Sequence, residues 1–377
     1  MFGKPLKLFK LLGFEVKIDA SWIVIAVLVT WSLAKGAFPY WYPHLAPGTY
    51  WIMGVVGALG LFISIVAHEF CHSLVARKFG MPMKGITLFI FGGVAEMGDD
   101  PPTARAEFMM AIVGPLSSLA IGGVFYLVYR AGVAAGWPTP VNAVNGYLAY
   151  INGILAAFNL LPAFPLDGGR VLRSILWGAK DNLRWATRVS AAVGAAFGLG
   201  LVFLGVWQFI KGYVVGGVWM FLIGLFLRNA AQMSYQQLLV RKALEGEPVS
   251  RFMNAHPVTV QDSITVAQLV EDYIYKYHYK MFPVMAGEKL VGCITTRQVK
   301  EIPRAAWDRE TIREAAEPCS PENTISPATD AIKALAMMNQ TGVSRLMVVK
   351  DGRLVGLVTL KDLLDFFSLK VELEEQT

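Results

Sequence analysis

The sequence predicts an α-helical polytopic membrane domain of six spans, with a β-hairpin embedded in the membrane, followed by a cytosolic α/β domain made of two repeats. Three observations carry this prediction. Hydrophobic residues make up 55% of the chain and the mean hydropathy is +0.47, too apolar for an ordinary soluble protein. The long apolar runs all lie before about residue 237, and the rest reads as soluble α/β. Within that second part the segment Leu290–Gln298 recurs as Leu354–Asp362, the mark of a duplicated unit. The 377 residues therefore divide into a membrane domain at 1–237, a polar linker at 238–249 and a repeat domain at 250–370, with repeats at about 250–305 and 312–368.

Each element has its own local signal. Phe14, Val16 and Ile18 alternate with polar neighbours, a short strand pattern suited to the membrane surface. Ala20 to Ala34 forms the first apolar segment; with the lysines before it and small residues at Ala34 to Ala37 it also fits a signal peptide, and a retained span is the preferred reading. Trp51 to Ala76 is the second span, closed by Arg77 and Lys78. Gly85 to Met97 is apolar but too short to cross as a helix; its β-formers and the Gly92-Gly93 turn predict a hairpin, whose backbone must be covered by protein or face a wet cavity. Glu107 to Arg130, with Gly114-Pro115 early in it, Val141 to Leu161, Trp185 to Ile210 and Tyr213 to Leu227 complete the six spans.

Charge tests this count. With a cytoplasmic N-terminus the outer side keeps Lys35, Arg130 and Lys211, while Lys4, Lys7, Lys10, Lys17, Arg77, Lys78, Lys84, Arg105, Arg170, Arg173 and the later basic residues fall inside. That asymmetry supports a multi-pass protein of the cell membrane with both termini in the cytosol. The net charge of +6 is thus a topology signal, and no nucleic-acid partner is expected. Cys71, Cys293 and Cys319 show no paired spacing, which argues against a disulfide framework.

In the repeat domain each copy carries a helical pattern, near Ala267 to Tyr277 and Asp330 to Gln340, ahead of a β-rich run, Met281 to Met285 and Arg345 to Lys350. Two copies suit a paired module with a pseudo-twofold axis. The tail from Val371 reads as acidic and frayed.

The sharpest chemical signal is His68-Glu69-Phe70-Cys71-His72. On a helix the two histidines share one face, the spacing that lets two imidazoles grip one zinc ion while Glu69 reaches a water on it. Hydrolytic zinc takes a third protein ligand. Asp167 is the best candidate, delivered by the Pro162 and Pro165 break on the same side of the membrane as His72; a turn aspartate ahead of Gly168-Gly169 is the bland alternative. Glu96 and Glu107 are weaker choices, and Cys71 is better read as a packing residue. Glu69 fits a general base. Asn159 fits either a hydrogen bond to substrate or a packing amide, and the hairpin from Ile86 to Met97 offers an edge on which an unwound peptide can pair.

Together, His68-Glu69-x-x-His72 in the second span, the glycine-containing hairpin, and Asn159 through Asp167-Gly168 resemble the site-2 protease family of intramembrane zinc metalloproteases. The repeats resemble cystathionine-β-synthase (CBS) domains. The match is to the branch carrying a C-terminal CBS pair, similar to the sporulation factor protease and its archaeal relatives. The resemblance implies one zinc ion per chain on His68, His72 and Asp167, catalysis by Glu69, and a substrate channel beside Asn159, Pro165, Gly92 and Gly93. It implies a single-pass or short membrane-protein substrate cut within or next to the bilayer, and homodimerisation through the CBS domains. It further implies ATP or AMP at the CBS pair, with Thr359 and Asp362 contacting the phosphate and ribose. The first copy has Thr295 but Gln298 in place of the acid, and a scaffold role without ligand stays open. Two other classes compete: a transporter or channel gated by the CBS pair, and an inactive membrane scaffold. A transporter calls for intramembrane charges spread along a path, whereas this chain gathers them at one H-E-x-x-H and one Asp.

Overall fold

Alternating burial builds the first sheet. A computed structural model describes residues 6–81, 83–89, 92–97 and 101–374. The chain divides into two compact units, one through Tyr235 and the other from Gln236. In the first unit, β1 (Leu6–Leu11) and β2 (Phe14–Ile18) pair antiparallel around Leu12 and Gly13, both at positive φ. Phe14 and Val16 point inward. β2 then pairs parallel with β3 (Met83–Phe89), Val16 opposite Ile86, and β3 pairs antiparallel with β4 (Gly92–Met97), giving the order β1-β2-β3-β4. The hairpin is therefore half of a four-stranded sheet, and the stretch from Phe14 to Ile18 is its inner strand instead of a separate surface segment. Gly92 and Gly93 sit opposite Phe89 and Leu88 in the ladder instead of forming the turn; Ile90 and Phe91 lie outside the described residues.

The helices of this unit are α1 (Ala20–Trp41), α2 (Pro47–Lys78), α3 (Ala104–Ala134), α4 (Thr139–Asn159), α5 (Asp167–Lys180), α6 (Leu183–Ile210) and α7 (Val214–Leu244). Caps set their starts: Asp19 accepts from the Ser21 N–H at 3.0 Å, Thr103 from Ala106 at 3.1 Å and Asn182 from Trp185 at 2.9 Å. Among the described residues five helices, α1, α2, α3, α6 and α7, are long and apolar enough to cross a membrane. α4 has the length, but Asn142, Asn145, Asn152 and Asn159 dilute its apolarity. α5 is an element absent from the six-span expectation; its charged residues leave it amphipathic, with Gly168, Gly169, Arg173 and Ser174 on the buried face.

Where helices cross, small residues let the backbones touch. A Cβ on Gly198 of α6 would stand 2.7 Å from the Gly224 carbonyl of α7, and one on Gly205 would stand 2.7 Å from that of Gly217. Aromatic contacts such as Trp22 on Phe62, 4.8 Å between ring centres, join α1 to α2.

The second unit holds two mixed sheets. β5 (Val260–Gln261), β6 (Met281–Ala286), β7 (Lys289–Thr295) and β8 (Glu317–Pro318) form one; β9 (Thr324–Ile325), β10 (Arg345–Lys350) and β11 (Arg353–Thr359) form the other. The helices α8 (Thr296–Glu301), α9 (Ala331–Thr341) and α10 (Leu360–Glu374), with the helical run 266–277, cover them. Two cores form, one around Val260, Phe282 and Ile294 of the first repeat joined by Ile312, the other around Ile325, Leu346, Val348 and Leu363 of the second. Met281, Cys293 and Met347 pack between the sheets.

The structure adds detail at two stretches expected to be irregular. The linker at 238–249 is largely the end of α7, and Leu238, Ala243, Leu244 and Val249 are buried, Leu244 and Val249 in the core of the second repeat. Exposed charged residues here, among them Lys242 and Glu245, give the stretch the composition of a linker. The tail is helical through Glu374, and residues 375–377 of the stretch expected to fray lie outside the described residues.

Candidate metal centre

α2 presents His68 and His72 one turn apart on its buried face. Their Nε2 atoms stand 3.1 Å from each other, and Asp167 Oδ2 stands 3.0 Å from His68 Nε2 and 3.1 Å from His72 Nε2. The three ligand atoms lie within 4.8 Å of one another, the one such cluster of three His, Cys, Asp or Glu side chains among the described residues.

α3 supplies the frame for both imidazoles. The Nδ1–H of His72 donates to the Met110 carbonyl at 2.6 Å, which fixes that tautomer and leaves Nε2 a lone pair. His68 Nδ1 stands 2.9 Å from the buried Ser118 Oγ. Between these two, at Gly114, a Cβ would collide with both imidazoles. The Gly114-Pro115 pair thus makes room for the histidines, a stronger requirement than a bend in a packed helix.

The carboxylate arm is built from a broken helix end. After Asn159 closes α4, Ala163 donates its N–H to the Leu161 carbonyl at 2.7 Å, and the chain re-enters a helix at Asp167. The Phe164–Pro165 peptide is cis. Backbone crowds this loop: a Cβ on Gly168 would meet the Leu160 and Leu161 carbonyls, one on Gly169 the Phe164 N, and one on Gly194 of α6 the Phe164 carbonyl. Only glycine admits such close approach, and the result is a carboxylate held by packing on both sides.

The remaining candidates are placed as follows. Glu69 is half-buried, and its carboxylate makes no hydrogen bond among the described residues. Asn159 turns its Nδ2–H back onto the Leu155 carbonyl at 3.0 Å, and Pro165 lies two residues before Asp167. Gly92 and Gly93 begin the edge strand β4. Cys71 is a free, half-buried thiol. Glu107 is buried in an ion pair with Arg173 and is not among the three clustered ligands. Sequence reasoning misses Ser118, Met110, Gly114 and this pair; the glycine beside Pro115 is the one local hint.

The donor set suits zinc. Two donors each 2.0–2.1 Å from one ion at the tetrahedral angle stand about 3.3 Å apart, and the observed 3.0 and 3.1 Å separations differ from that by a few tenths. Two imidazoles and one carboxylate leave a fourth position for water or substrate, the pattern of a hydrolytic site.

In the second unit Thr359 and Asp362 form a reciprocal cap at the start of α10: the Thr359 N–H donates to Asp362 Oδ2 at 2.8 Å and the Asp362 N–H to Thr359 Oγ1 at 3.2 Å. Thr295 and Gln298 repeat it at α8, with the Thr295 N–H donating to Gln298 Oε1 at 2.7 Å. The amide in place of the acid preserves the cap.

Comparison with known proteins agrees with this layout. The model of Peptidase family M50 matches residues 56–141 and 132–205, and the CBS domain model matches 249–304 and 312–369. Rip3 of Mycobacterium tuberculosis is 32% identical over 375 residues, covering 96% of this chain and 93% of its own. The zinc metalloprotease MJ0392 of Methanocaldococcus jannaschii is 28% identical over 376 residues, covering 98% of each. Among solved structures, the site-2 protease from Methanocaldococcus jannaschii aligns with a TM-score of 0.42 at 28% identity, over 61% of this chain and 94% of that one. The chain belongs to Peptidase family M50, as a zinc metalloprotease that carries a pair of CBS domains.

Proposed function

We propose that this protein is an intramembrane endopeptidase that cuts membrane-spanning substrates within or next to the bilayer, with His68, His72 and Asp167 holding one zinc ion. The observation that carries this reading is the convergence of three ligand atoms from two distant parts of the chain, within 4.8 Å of one another, inside a helical domain apolar enough to span a membrane. Bound zinc would supply Lewis acidity to water and to the scissile carbonyl. Glu69 takes the proton of the attacking water on its carboxylate and passes it to the leaving amine. Ser118 and the Met110 carbonyl keep both imidazoles turned toward the ion. Asn159 and Pro165 border the substrate, and β4 with Gly92 and Gly93 offers a strand edge on which an unwound peptide pairs.

Counting α4 as a span gives six crossings with both termini cytoplasmic, because the basic residues then collect on one side. The sheet β3–β4 then enters the membrane under cover of the helices. We further assign residues 1–237 to the protease and 250–370 to the CBS pair, which binds ATP or AMP near Thr359, Asp362 and Thr295, modulates the protease and dimerises. The concentration of ligating groups in one cluster favours hydrolysis over a CBS-gated transporter.

The test is cleavage of a panel of membrane-spanning peptides by the purified full chain and by Glu69→Gln. Wild type should cut and the variant should lose about a hundredfold or more of the rate. Equal cutting by both would sink the assignment.

A further inference from the structure

The metal cluster is assembled from two helices, and a third holds it in register. α3 orients both histidines, through Met110 and Ser118, while α5 carries Asp167. Something must set α5 against α3 closely enough to keep one carboxylate oxygen 3.0–3.1 Å from two imidazole nitrogens. Directly between these helices lies an ion pair. Glu107 is fully buried and Arg173 nearly so. The Nε–H of Arg173 donates to Glu107 Oε1 at 2.6 Å, and its Nη2 reaches the same oxygen. The guanidinium also lies over the Phe164 ring, 5.1 Å from its centre, in the loop that delivers Asp167. Glu107 stands one turn before Met110 on α3, and Arg173 stands less than two turns after Asp167 on α5.

A buried ion pair is poor value as a source of stability, since its desolvation cost is comparable to its attraction and apolar replacements are often neutral. Its directional hydrogen bonds do fix a geometry that apolar contacts leave free to slide. We propose that Glu107 and Arg173 are a positioning pair, which sets the register of α5 on α3 and thereby the distance from Asp167 to the two histidines. This rests on the reading of His68, His72 and Asp167 as the zinc ligands.

The test uses the purified full chain and the variants Arg173→Met, Arg173→Lys, Glu107→Gln, the double variant Glu107→Met with Arg173→Met, and Asp167→Asn. Zinc affinity is read by chelator competition, ligand geometry by the visible absorption of the cobalt-substituted protein, and folding by thermal melting. Arg173→Met and Glu107→Gln should weaken zinc binding about tenfold to a hundredfold and alter the cobalt bands, with Arg173→Lys recovering part of the affinity. The double variant should melt like wild type yet keep the weakened affinity and altered bands, because packing is restored and direction is not. Wild-type zinc affinity and cobalt bands in Arg173→Met and Glu107→Gln, or full recovery of both in the double variant, would overturn the positioning role alone, whereas wild-type affinity in Asp167→Asn would overturn the ligand reading beneath it. A wild-type chain that binds no zinc would overturn the metal-centre reading and this proposal with it.

Discussion

His72 donates its Nδ1–H to the Met110 carbonyl at 2.6 Å, so a backbone atom of α3 decides which nitrogen of a histidine on α2 faces Asp167. The space for that arrangement is Gly114, one turn after Met110. Gly114→Ala should therefore displace both imidazoles and reduce zinc affinity by about a hundredfold, while helix content by circular dichroism stays at the wild-type level. Wild-type affinity in this variant would mean that the imidazoles are not confined by α3.

Ser118 offers a milder perturbation of the same frame. Ser118→Ala removes the partner 2.9 Å from His68 Nδ1 without adding bulk. Zinc affinity should fall by about tenfold, measured by competition with a chelator.

How much of this was open to a reader of the sequence follows from what is local and what is not. The His68 and His72 spacing is a property of any helix, and the Pro162 and Pro165 break marks where a helix must stop, so both halves of the cluster are legible. Ser118 and the Glu107–Arg173 pair depend on the rotation of α3 and α5 about their axes, which no local pattern specifies. Repeat strands such as Arg345–Lys350 are legible because alternation and flanking turns are local. The end of α7 is not, because its polar exposed side mimics a linker while Leu244 is fully buried.

Leu244 makes that difference measurable. Its side chain sits in the core of the second repeat with Val249, Ala334 and Leu363. Leu244→Ala should cost about 2–5 kcal/mol of stability in this unit, seen as an earlier transition in chemical denaturation of the full chain. A flexible linker residue would show no change.

The caps separate two roles of one residue. Asp362 accepts from the Thr359 N–H at 2.8 Å, so Asp362→Ala should lower stability by about 0.5–2 kcal/mol and also weaken ATP or AMP binding by calorimetry. Gln298→Ala should cost the same stability and leave affinity less changed. Unaltered nucleotide affinity in Asp362→Ala would reduce the site to a helix cap.

The thiols of the second unit give a pH dependence. Burial pushes Cys293 from 9.0 up to about 12, with Glu317 and Cys319 adding to the shift. The folded state thus keeps a proton that the unfolded state loses above pH 9.0, so this contribution to stability is complete below that pH and is lost progressively as pH rises toward about 12. Denaturation midpoints should fall over that window, and less so in Cys293→Ala. Alkylation followed by mass spectrometry should label the exposed Cys319 well before the buried Cys293.

The most direct measurement is the zinc content per chain of the purified full-length protein, compared between wild type, Glu69→Gln and Asp167→Ala. One zinc per chain is expected in wild type and in Glu69→Gln, and well under one in Asp167→Ala after dialysis against a weak chelator. A wild type without stoichiometric zinc, or an Asp167→Ala variant that retains it, would contradict the claim that His68, His72 and Asp167 are the three ligands of a single ion.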